Sequence, residues 1–372
     1  MKSVKKCLAV SLLVALIAAV FAGCSSSNGG GAVSSNSSSA SVSSKAENLK
    51  ATVIWRRFDD AFQSGFRIIM QSEADKMGGF KLDMQDGEDD PSKANNKLET
   101  ALTKGAQSIA ICAPDRKSTD EMMKKCKTEN VPVIFFNMEP MPETMKAYDK
   151  VWYVGANAKE SGQMCAQALI NYWNSNKEIA DKNGDGKLQL VILQGELGQQ
   201  DVVLRTEAYE ETLKAQGIEY EILAKDTANW DKAQALDKMN TWITAFGVDK
   251  IEGVLCNSDG MAMGAVQAAL DNGYNKGDAN KFIPIVGIDA TVEALQSMKN
   301  DALLGTVLND RMSQSKAVLN VLKTVNDKGV VTKDTVGVDC TVEDNYIWVP
   351  YKIVDKTNLE ETLKMMTEIE GK

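Results

Sequence analysis

Oxygen-bearing residues alternate along one glycine-containing loop, with the spacing that calcium-binding loops use. The ligands at positions one, three, five, seven (a main-chain carbonyl) and nine would be Asp181, Asn183, Asp185, Lys187 and Gln189. Gly186 stands at position six, where such a loop turns sharply, but Ile192 occupies position twelve, where a helix-flanked loop has a bidentate Glu. The pattern favours a cation site that takes its last carboxylate from elsewhere in the chain. The alternative is a solvated turn rich in Asp and Asn.

Polar and aromatic residues also follow the ends of many apolar runs. Just past the run after this loop come Gln199, Asp201 and Arg205, which could all face one ligand. Comparable positions in both halves of the chain hold Asp60, Phe62, Asn137, Trp230, Ser258, Asp289 and Asn309. Any one of these is explained as a loop residue or a helix cap. Together they supply carboxylates, amides, a guanidinium and two flat rings, which suits a sugar with its hydroxyls and its C–H faces.

Short β-rich runs and helical stretches alternate through the chain and must position these residues. The first half has the runs ATVIW, FKLDMQD, SIAICAP and VPVIFFN, separated by helical patterns at residues 61–77, 92–104 and 119–129. The rhythm restarts after Gly155, with predicted helices at residues 159–175, 206–216, 231–245 and 261–272, and runs such as residues 188–193 between them. Repeated βα units predict an α/β protein with two Rossmann-like lobes and parallel sheets. Ligands of such sheets lie beyond the carboxyl ends of the strands.

Composition narrows the function further. The 372 residues are enough for two lobes with sizeable cores, and the net charge of −9 argues against nucleic acid as a partner. The chain has no histidine, which removes the commonest general base. Five cysteines stand singly among apolar neighbours and are predicted to be buried free thiols, namely Cys112, Cys126, Cys165, Cys256 and Cys340.

The first 49 residues indicate export. Lys5 and Lys6 precede an apolar run that ends in small residues, so residues 1–23 are predicted to be a signal peptide rather than a membrane-spanning helix. Cys24 follows directly and is predicted to carry a lipid. Residues 24–49, rich in Ser and Gly, would form a flexible tether. We therefore expect an extracytoplasmic protein anchored to the cell membrane as a lipoprotein.

The sequence resembles the galactose/glucose-binding proteins of bacterial ABC transporters from Ala51 to about Leu363. The matching stretches are FDDAF, NVPVIFFNMEP, WYVGANAKESG, NGDGKLQ, DTANWDKAQALDKM, DGMAMGAV, GTVLND and VPYKIVDKTNL. The resemblance implies that Phe62 and Trp230 sandwich a sugar ring, and that Asp60 takes the hydroxyl that differs between glucose and galactose. It also implies a structural Ca²⁺, with Glu252 as the distant carboxylate. Gln199 and Ser258 replace the histidine and asparagine of the family, which leaves the exact sugar open.

The same resemblance implies a three-segment hinge. One lobe would comprise residues 50–156 and 310–345, and the other residues 157–309 and 346–372, with crossings near Gly155, Asn309 and Tyr346. A monomer would capture D-glucose or D-galactose between the lobes and deliver it to an ABC permease. A pentose, an acidic sugar or a role as a chemotaxis sensor stays open.

Three further alternatives bear on the entrance to the site and on the class of protein. Arg56 and Arg57 are interpreted as a solvated rim, although they could also meet an acidic sugar. A glycoside hydrolase using Asp59 and Asp60 is disfavoured because adjacent side chains diverge. A sugar-responsive gene regulator would need a DNA-binding segment where this chain has a leader. The prediction is thus a binding protein and not an enzyme.

Overall fold

The computed structural model describes residues 49–370. The predicted signal peptide, the lipid-bearing Cys24 and the tether lie outside the described residues, except that Leu49, assigned to the tether, already begins the first strand. Among the helices that the structure describes, none is long and apolar enough to cross a membrane.

Two α/β lobes alternate along the chain. Lobe 1 begins with β1 (Leu49–Trp55), α1 (Ala61–Met77), β2 (Phe80–Asp86), α2 (Pro91–Thr103), β3 (Ser108–Ile111), α3 (Ser118–Thr128), β4 (Val133–Phe136), α4 (Pro142–Lys146) and β5 (Val151–Gly155). Lobe 2 follows with α5 (Ala158–Ser175), α6 (Lys177–Ala180), β6 (Leu188–Gln194), α7 (Gln200–Ala215), β7 (Tyr220–Thr227), α8 (Lys232–Phe246), β8 (Gly253–Cys256), α9 (Asp259–Asp271), β9 (Ile285–Val286), α10 (Val292–Lys299) and β10 (Thr306–Leu308). Lobe 2 also has short 3-10 helices at Val248–Lys250 and Ala279–Lys281.

The chain then returns to each lobe once. Lobe 1 receives α11 (Arg311–Asn326), α12 (Lys333–Val336), β11 (Thr341–Glu343) and β12 (Tyr346–Trp348), and lobe 2 receives β13 (Lys352–Val354) and α13 (Leu359–Glu370). The predicted boundary at Tyr346 is therefore wrong by a few residues. Because Tyr346–Trp348 pairs in parallel with β5, the chain stays in lobe 1 until after Trp348.

Parallel pairing dominates both sheets, which confirms the predicted α/β class. The sheet of lobe 1 has the order β11-β12-β5-β4-β3-β1-β2, and every pair in it is parallel except β11 with β12. In lobe 2 the parallel order is β7-β6-β8-β9, and a bridge from Val286 to Gly305 adjoins the antiparallel pair of β10 and β13. Helices cover both faces of such sheets, which is why strands such as β3 and β4 are apolar and wholly buried.

Side-chain caps start the helices at the edge of the sheet where the strands end. Asp60 caps α1, Ser258 caps α9 and Thr291 caps α10, each by accepting a bond from a main-chain N–H of the first turn. Helix α7 begins at Gln200 instead of the predicted Thr206, because the residue before it, Gln199, forms no side-chain cap that would mark the start of the helix. Asp201 and Arg205 consequently lie one helical turn apart.

Candidate functional site

A cavity of about 80 Å³ lies at the carboxyl ends of the strands, between the two lobes. Its walls include all ten residues that the sequence nominated for a sugar: Asp60, Phe62, Asn137, Gln199, Asp201, Arg205, Trp230, Ser258, Asp289 and Asn309. At about 10–15 Å³ per water, the cavity holds roughly five to eight waters. That is the bulk of one small ring rather than of two linked rings.

Lobe 1 contributes a carboxylate, a ring and an amide. Asp60 accepts a bond of 2.8 Å from the main-chain N–H of Gln63, which leaves its second carboxylate oxygen for a ligand. The Phe62 ring packs edge-on against Phe66, with centroids 5.9 Å apart. Asn137 directly follows β4, and its carbonyl accepts a bond from the hydroxyl of the buried Tyr153. These contacts hold Asp60, Phe62 and the main chain of Asn137 in place before any ligand binds.

Arg205 is the buried hub of the lobe 2 wall. Its guanidinium donates to the Ser161 hydroxyl at 3.1 Å, to the Asn257 carbonyl at 2.8 Å and to the Tyr351 hydroxyl at 3.0 Å. The carboxylate of Asp201 lies 3.4 Å away, one turn earlier on α7. The guanidinium is therefore held in one orientation, and it is 4% exposed.

Trp230 forms the aromatic wall of lobe 2. Its indole N–H donates to the Gln199 amide oxygen at 3.2 Å, and the Arg205 guanidinium carbon lies 5.9 Å from its ring centroid. The ring lies so close to Gly195 that a Cβ on that glycine would come within 2.3 Å of it. The Gln199 amide nitrogen donates to Glu196, so both ends of this predicted ligand are already bonded to protein groups.

Three residues of the wall have a left-handed backbone that side-chain-bearing residues seldom adopt. The φ angles are 61° at Asn137, 64° at Trp230 and 124° at Asp289. Such strain costs about 1–3 kcal/mol per residue and collects where function requires it. Three of the twelve described non-glycine residues with positive φ line this one cavity, which supports its assignment as the functional site.

Burial and the charge of Arg205 have opposite effects on the pKa of the buried carboxyl groups. Burial raises the pKa of Asp289 well above its usual range, although Arg205 opposes the shift. Burial raises the pKa of Asp201 in the same way, and Arg205 again opposes it. Burial disfavours the charge of Arg205, but the Tyr351 hydroxyl and the two carboxylates more than compensate, so its pKa rises. The wall thus holds a permanent cation beside two carboxyl groups whose charge burial disfavours and Arg205 favours.

Two smaller members of the wall also serve the fold. The Ser258 hydroxyl accepts a long bond of 3.4 Å from the Met261 N–H, and the Asn309 amide oxygen accepts one of 2.6 Å from Gln314. Asn309 follows β10, where the chain crosses back to lobe 1. Both can still meet a ligand, because each retains hydrogen-bonding capacity.

Arg56 belongs to this site, which corrects its interpretation as a solvated rim. It is 6% exposed and lines the cavity, and its guanidinium bonds Asp89 at 2.5 and 2.9 Å and Glu196 at 2.5 Å. The neighbouring Arg57 is partly exposed and pairs with Asp59, as a rim residue does. Arg56 directly follows β1, and the other residues predicted at strand ends all line the cavity. The sequence position of Arg56 therefore already indicated that it belongs to the site.

Five further residues that the sequence analysis did not predict also line the cavity: Ala61, Gln63, Met138, Gly260 and Thr291. Each is next to or within three positions of a predicted residue, so it shares the same strand end. Gln63 differs from the others because its buried side-chain oxygen has no hydrogen-bond partner among the described residues.

Glu252, which the resemblance implied as the distant carboxylate, lies against the predicted cation loop. One Glu252 carboxylate oxygen accepts from the Lys182 N–H at 2.7 Å and the other from the Gln189 N–H at 3.0 Å. Burial raises the pKa of Glu252, and the nearby Asp181 adds to the shift. Within the described residues Asp181 also has a buried carboxylate oxygen without a hydrogen-bond partner.

Amides and carboxylates share this loop. Asn183 and Gln189 donate from their amide nitrogens to one Asp185 oxygen, at 3.1 and 2.8 Å. Rotation of either side-chain amide by about 180° would direct its oxygen, instead of its nitrogen, into the loop. Across residues 49–370, no three His, Cys, Asp or Glu side chains are grouped to hold a metal. A cation here would depend on amide and main-chain oxygens as much as on carboxylates. Such an oxygen-only set fits Ca²⁺.

A cleft between two lobes, closed over one ring-sized cavity, defines a small-molecule binding protein. The model of the periplasmic binding protein domain matches residues 51–343. The chain belongs to the periplasmic binding protein family. Proteins of this family bind solutes and are not enzymes, and the fold is that of type I members.

Named relatives share nearly the whole length of the chain. It is 37% identical over 325 residues to the D-galactose/methyl-galactoside binding periplasmic protein of Haemophilus influenzae, covering 87% of this chain and 95% of that protein. It is 29% identical to the putative rhizopine-binding protein of Rhizobium meliloti, covering 86% and 94%. A solved ABC transporter periplasmic solute binding protein from Actinobacillus succinogenes, with bound D-allose, has a TM-score of 0.71, 20% identity, and coverage of 84% and 100%.

Proposed function

We propose that the protein captures one uncharged hexose, D-galactose or D-glucose, and delivers it to an ABC permease. The observation that carries the proposal is the convergence of ten sugar-suited side chains on one ring-sized cavity. The relative from Haemophilus influenzae, which carries galactose and methyl-galactoside in its name, supports the choice of sugar.

Each part of a hexose has a partner in this proposal. Phe62 and Trp230 present flat faces to the C–H sides of the ring. Hydroxyls donate to the carboxylates of Asp60, Asp201 and Asp289 and accept from the guanidinium of Arg205. A sugar that lacks one of these hydroxyls leaves a buried group unpaired, at a cost of about 1–3 kcal/mol.

Closure of the lobes would supply the signal to the permease. A ligand that contacts both lobes stabilises the closed arrangement, and only a differential affinity of this kind can shift the equilibrium between open and closed forms. The permease would recognise surfaces of both lobes when they are held together. A chemotaxis receptor could bind the same closed form, and it is the second partner that we consider.

An acidic sugar is the weaker candidate. Arg56, the extra cation of the cavity, already contacts the carboxylates of Asp89 and Glu196. A carboxylate on the sugar would have to displace one of them and would also face Asp60, Asp201 and Asp289. A pentose would leave space and at least one acceptor unfilled, so we expect it to bind more weakly.

We further propose that the loop from Asp181 to Gln189 holds a structural Ca²⁺, with Glu252 as its distant carboxylate. The partnerless oxygen of Asp181 supports this assignment. Bound there, the ion would fix the loop before β6 without touching the sugar. We also propose that the mature protein is extracytoplasmic, monomeric and tied to the membrane through a lipid on Cys24.

Calorimetric titration of the mature protein with galactose, glucose, xylose and glucuronate tests the proposal. We expect one site per chain, with a hexose binding most tightly and glucuronate least. Asp60→Asn keeps the cap of α1 but loses a charged acceptor, and it should weaken hexose binding by roughly 10- to 100-fold. Asp59→Asn is the matched control, because Asp59 is exposed and pairs only with Arg57. No heat with any hexose, or equal affinities for the two variants, would refute the proposal.

A further inference from the structure

A hydrogen-bonded chain runs from lobe 1 into the aromatic wall of lobe 2. Asp89 holds Arg56, Arg56 donates to Glu196, Glu196 accepts from Gln199, and Gln199 accepts from the Trp230 indole. Arg56 and Glu196 are 140 positions apart and belong to opposite lobes. The step between them is therefore the one that opening of the lobes must break.

Contacts within lobe 1 alone hold the lobe 1 end of this series of hydrogen bonds in place. The N–H of Asp89 donates to the Arg56 carbonyl at 2.7 Å, and the N–H of Gly87 donates to the Trp55 carbonyl at 2.8 Å. The side chain of Asp89 then grips the guanidinium through two parallel bonds, the geometry in which arginine is most strongly oriented. The same Nη2 that donates to Asp89 also donates to Glu196 of the opposite lobe, so the Asp89 bonds orient the nitrogen that crosses the cleft.

The lobe 2 end is a short loop. Glu196 lies between β6 and α7, and a single oxygen of its carboxylate accepts both from Arg56 at 2.5 Å and from Gln199 at 2.8 Å. The amide of Gln199 is thereby oriented so that its oxygen meets the Trp230 N–H. Because the backbone at Trp230 is strained, this bond opposes relaxation of the ring away from the cavity.

We propose that Glu196 is a positioning residue that couples closure of the lobes to placement of the Trp230 ring, with Arg56 as its partner across the cleft. This inference depends on the proposed function, because it concerns affinity for the same sugar. The ion pair lengthens the lifetime of the closed complex although neither charge is needed to recognise an uncharged ligand. A second interlobe contact, from the Gln200 amide to the Glu139 carboxylate, contains no cation and does not reach the ring.

Stopped-flow dissociation of the hexose identified by titration tests this inference, with Arg56→Gln, Glu196→Gln, Glu196→Ala and the Arg56→Gln/Glu196→Gln double variant. Each single variant should release the sugar about tenfold faster, a moderate effect for a close charge pair at an interface. The double variant should release the sugar no faster than the faster-releasing of the two single variants, because both substitutions remove the same interaction. Glu196→Gln keeps an acceptor for Gln199 and should release the sugar more slowly than Glu196→Ala.

The salt dependence of the release rate distinguishes this role from a merely structural one, which would not respond to salt. Between low salt and about 1 M, where the screening length falls to roughly 3 Å, release of an uncharged sugar should accelerate in the wild type and stay constant in Glu196→Gln. Glu211→Gln is the matched control, because Glu211 has similar exposure but pairs with Lys159 inside lobe 2. Additive effects of the two charges, or a salt response that survives Glu196→Gln, overturn this inference alone. Failure of the wild type to bind any hexose overturns the proposed function, and this inference with it.

Discussion

At the scale of single residues, the position of the Trp230 ring depends on the absence of a side chain at Gly195. The ring lies against the backbone of that glycine, where a Cβ would come within 2.3 to 2.5 Å of three ring carbons. Close contact with backbone on one side leaves the other face of the ring for the cavity. The glycine therefore acts on the ligand through the ring.

Replacing this glycine gives a direct prediction. Gly195→Ala should push the Trp230 ring toward the cavity and weaken hexose binding at least tenfold, as measured by calorimetry. The backbone at Gly195 does not have a left-handed φ, so the fold should persist. Gly329→Ala, in lobe 1 after α11, serves as the control, because its new Cβ would meet only Thr324. Unchanged affinity in Gly195→Ala would show that the ring does not form the wall of the site.

Individual residues also show how far the sequence could predict the site. The ten nominated side chains all reach the cavity, because polar residues after parallel strands converge at one edge of a sheet. Arg56 was misjudged because a pair of arginines usually marks a solvated surface. Its partners, Asp89 and Glu196, lie 33 and 140 positions away, so no local pattern shows the pairing.

At the scale of elements, strand register unites the two parts of the proposed cation loop. Strand β6 pairs with β8, with Leu190 opposite Gly253, so Glu252 lies beside Gln189. The Glu252 N–H indeed donates to the Gln189 carbonyl at 2.8 Å. Residues 63 positions apart in sequence are thus neighbours because they precede adjacent strands.

The proposed Ca²⁺ gives the prediction at this scale. Chelation should lower the melting temperature of the wild type by several degrees, because an ion that binds only the folded state stabilises it by mass action. Glu252→Gln should melt at a lower temperature and lose most of its response to chelator, whereas Glu207→Gln, an exposed control on α7, should respond like the wild type. A wild-type melting curve that does not move when Ca²⁺ is removed would contradict the assignment.

The elements themselves were predictable to different degrees. Bounds of α1 and β2 follow from the sequence, because periodicity and caps agree there. The start of α7 is not predictable because Gln199 gives no side-chain cap, and β12 is not predictable because its three residues pair with a strand almost 200 positions earlier. The five cysteines are free and buried, as predicted.

At the scale of the whole molecule, the two lobes meet in three ways. The chain crosses between them three times, direct polar contacts link Arg56 with Glu196 and Gln200 with Glu139, and the cavity takes walls from both. The crossings permit rotation of one lobe against the other, while the contacts and a ligand favour the closed form. Affinity should therefore reflect both the wall of the site and the stability of closure.

The most direct test is a crystal structure of the mature protein with the bound hexose. The proposed function predicts one pyranose ring between Phe62 and Trp230, with its hydroxyls bonded to Asp60, Asp201 and Asp289 and both lobes in contact with it. A sugar bound outside this cavity, or held by one lobe alone, would contradict it.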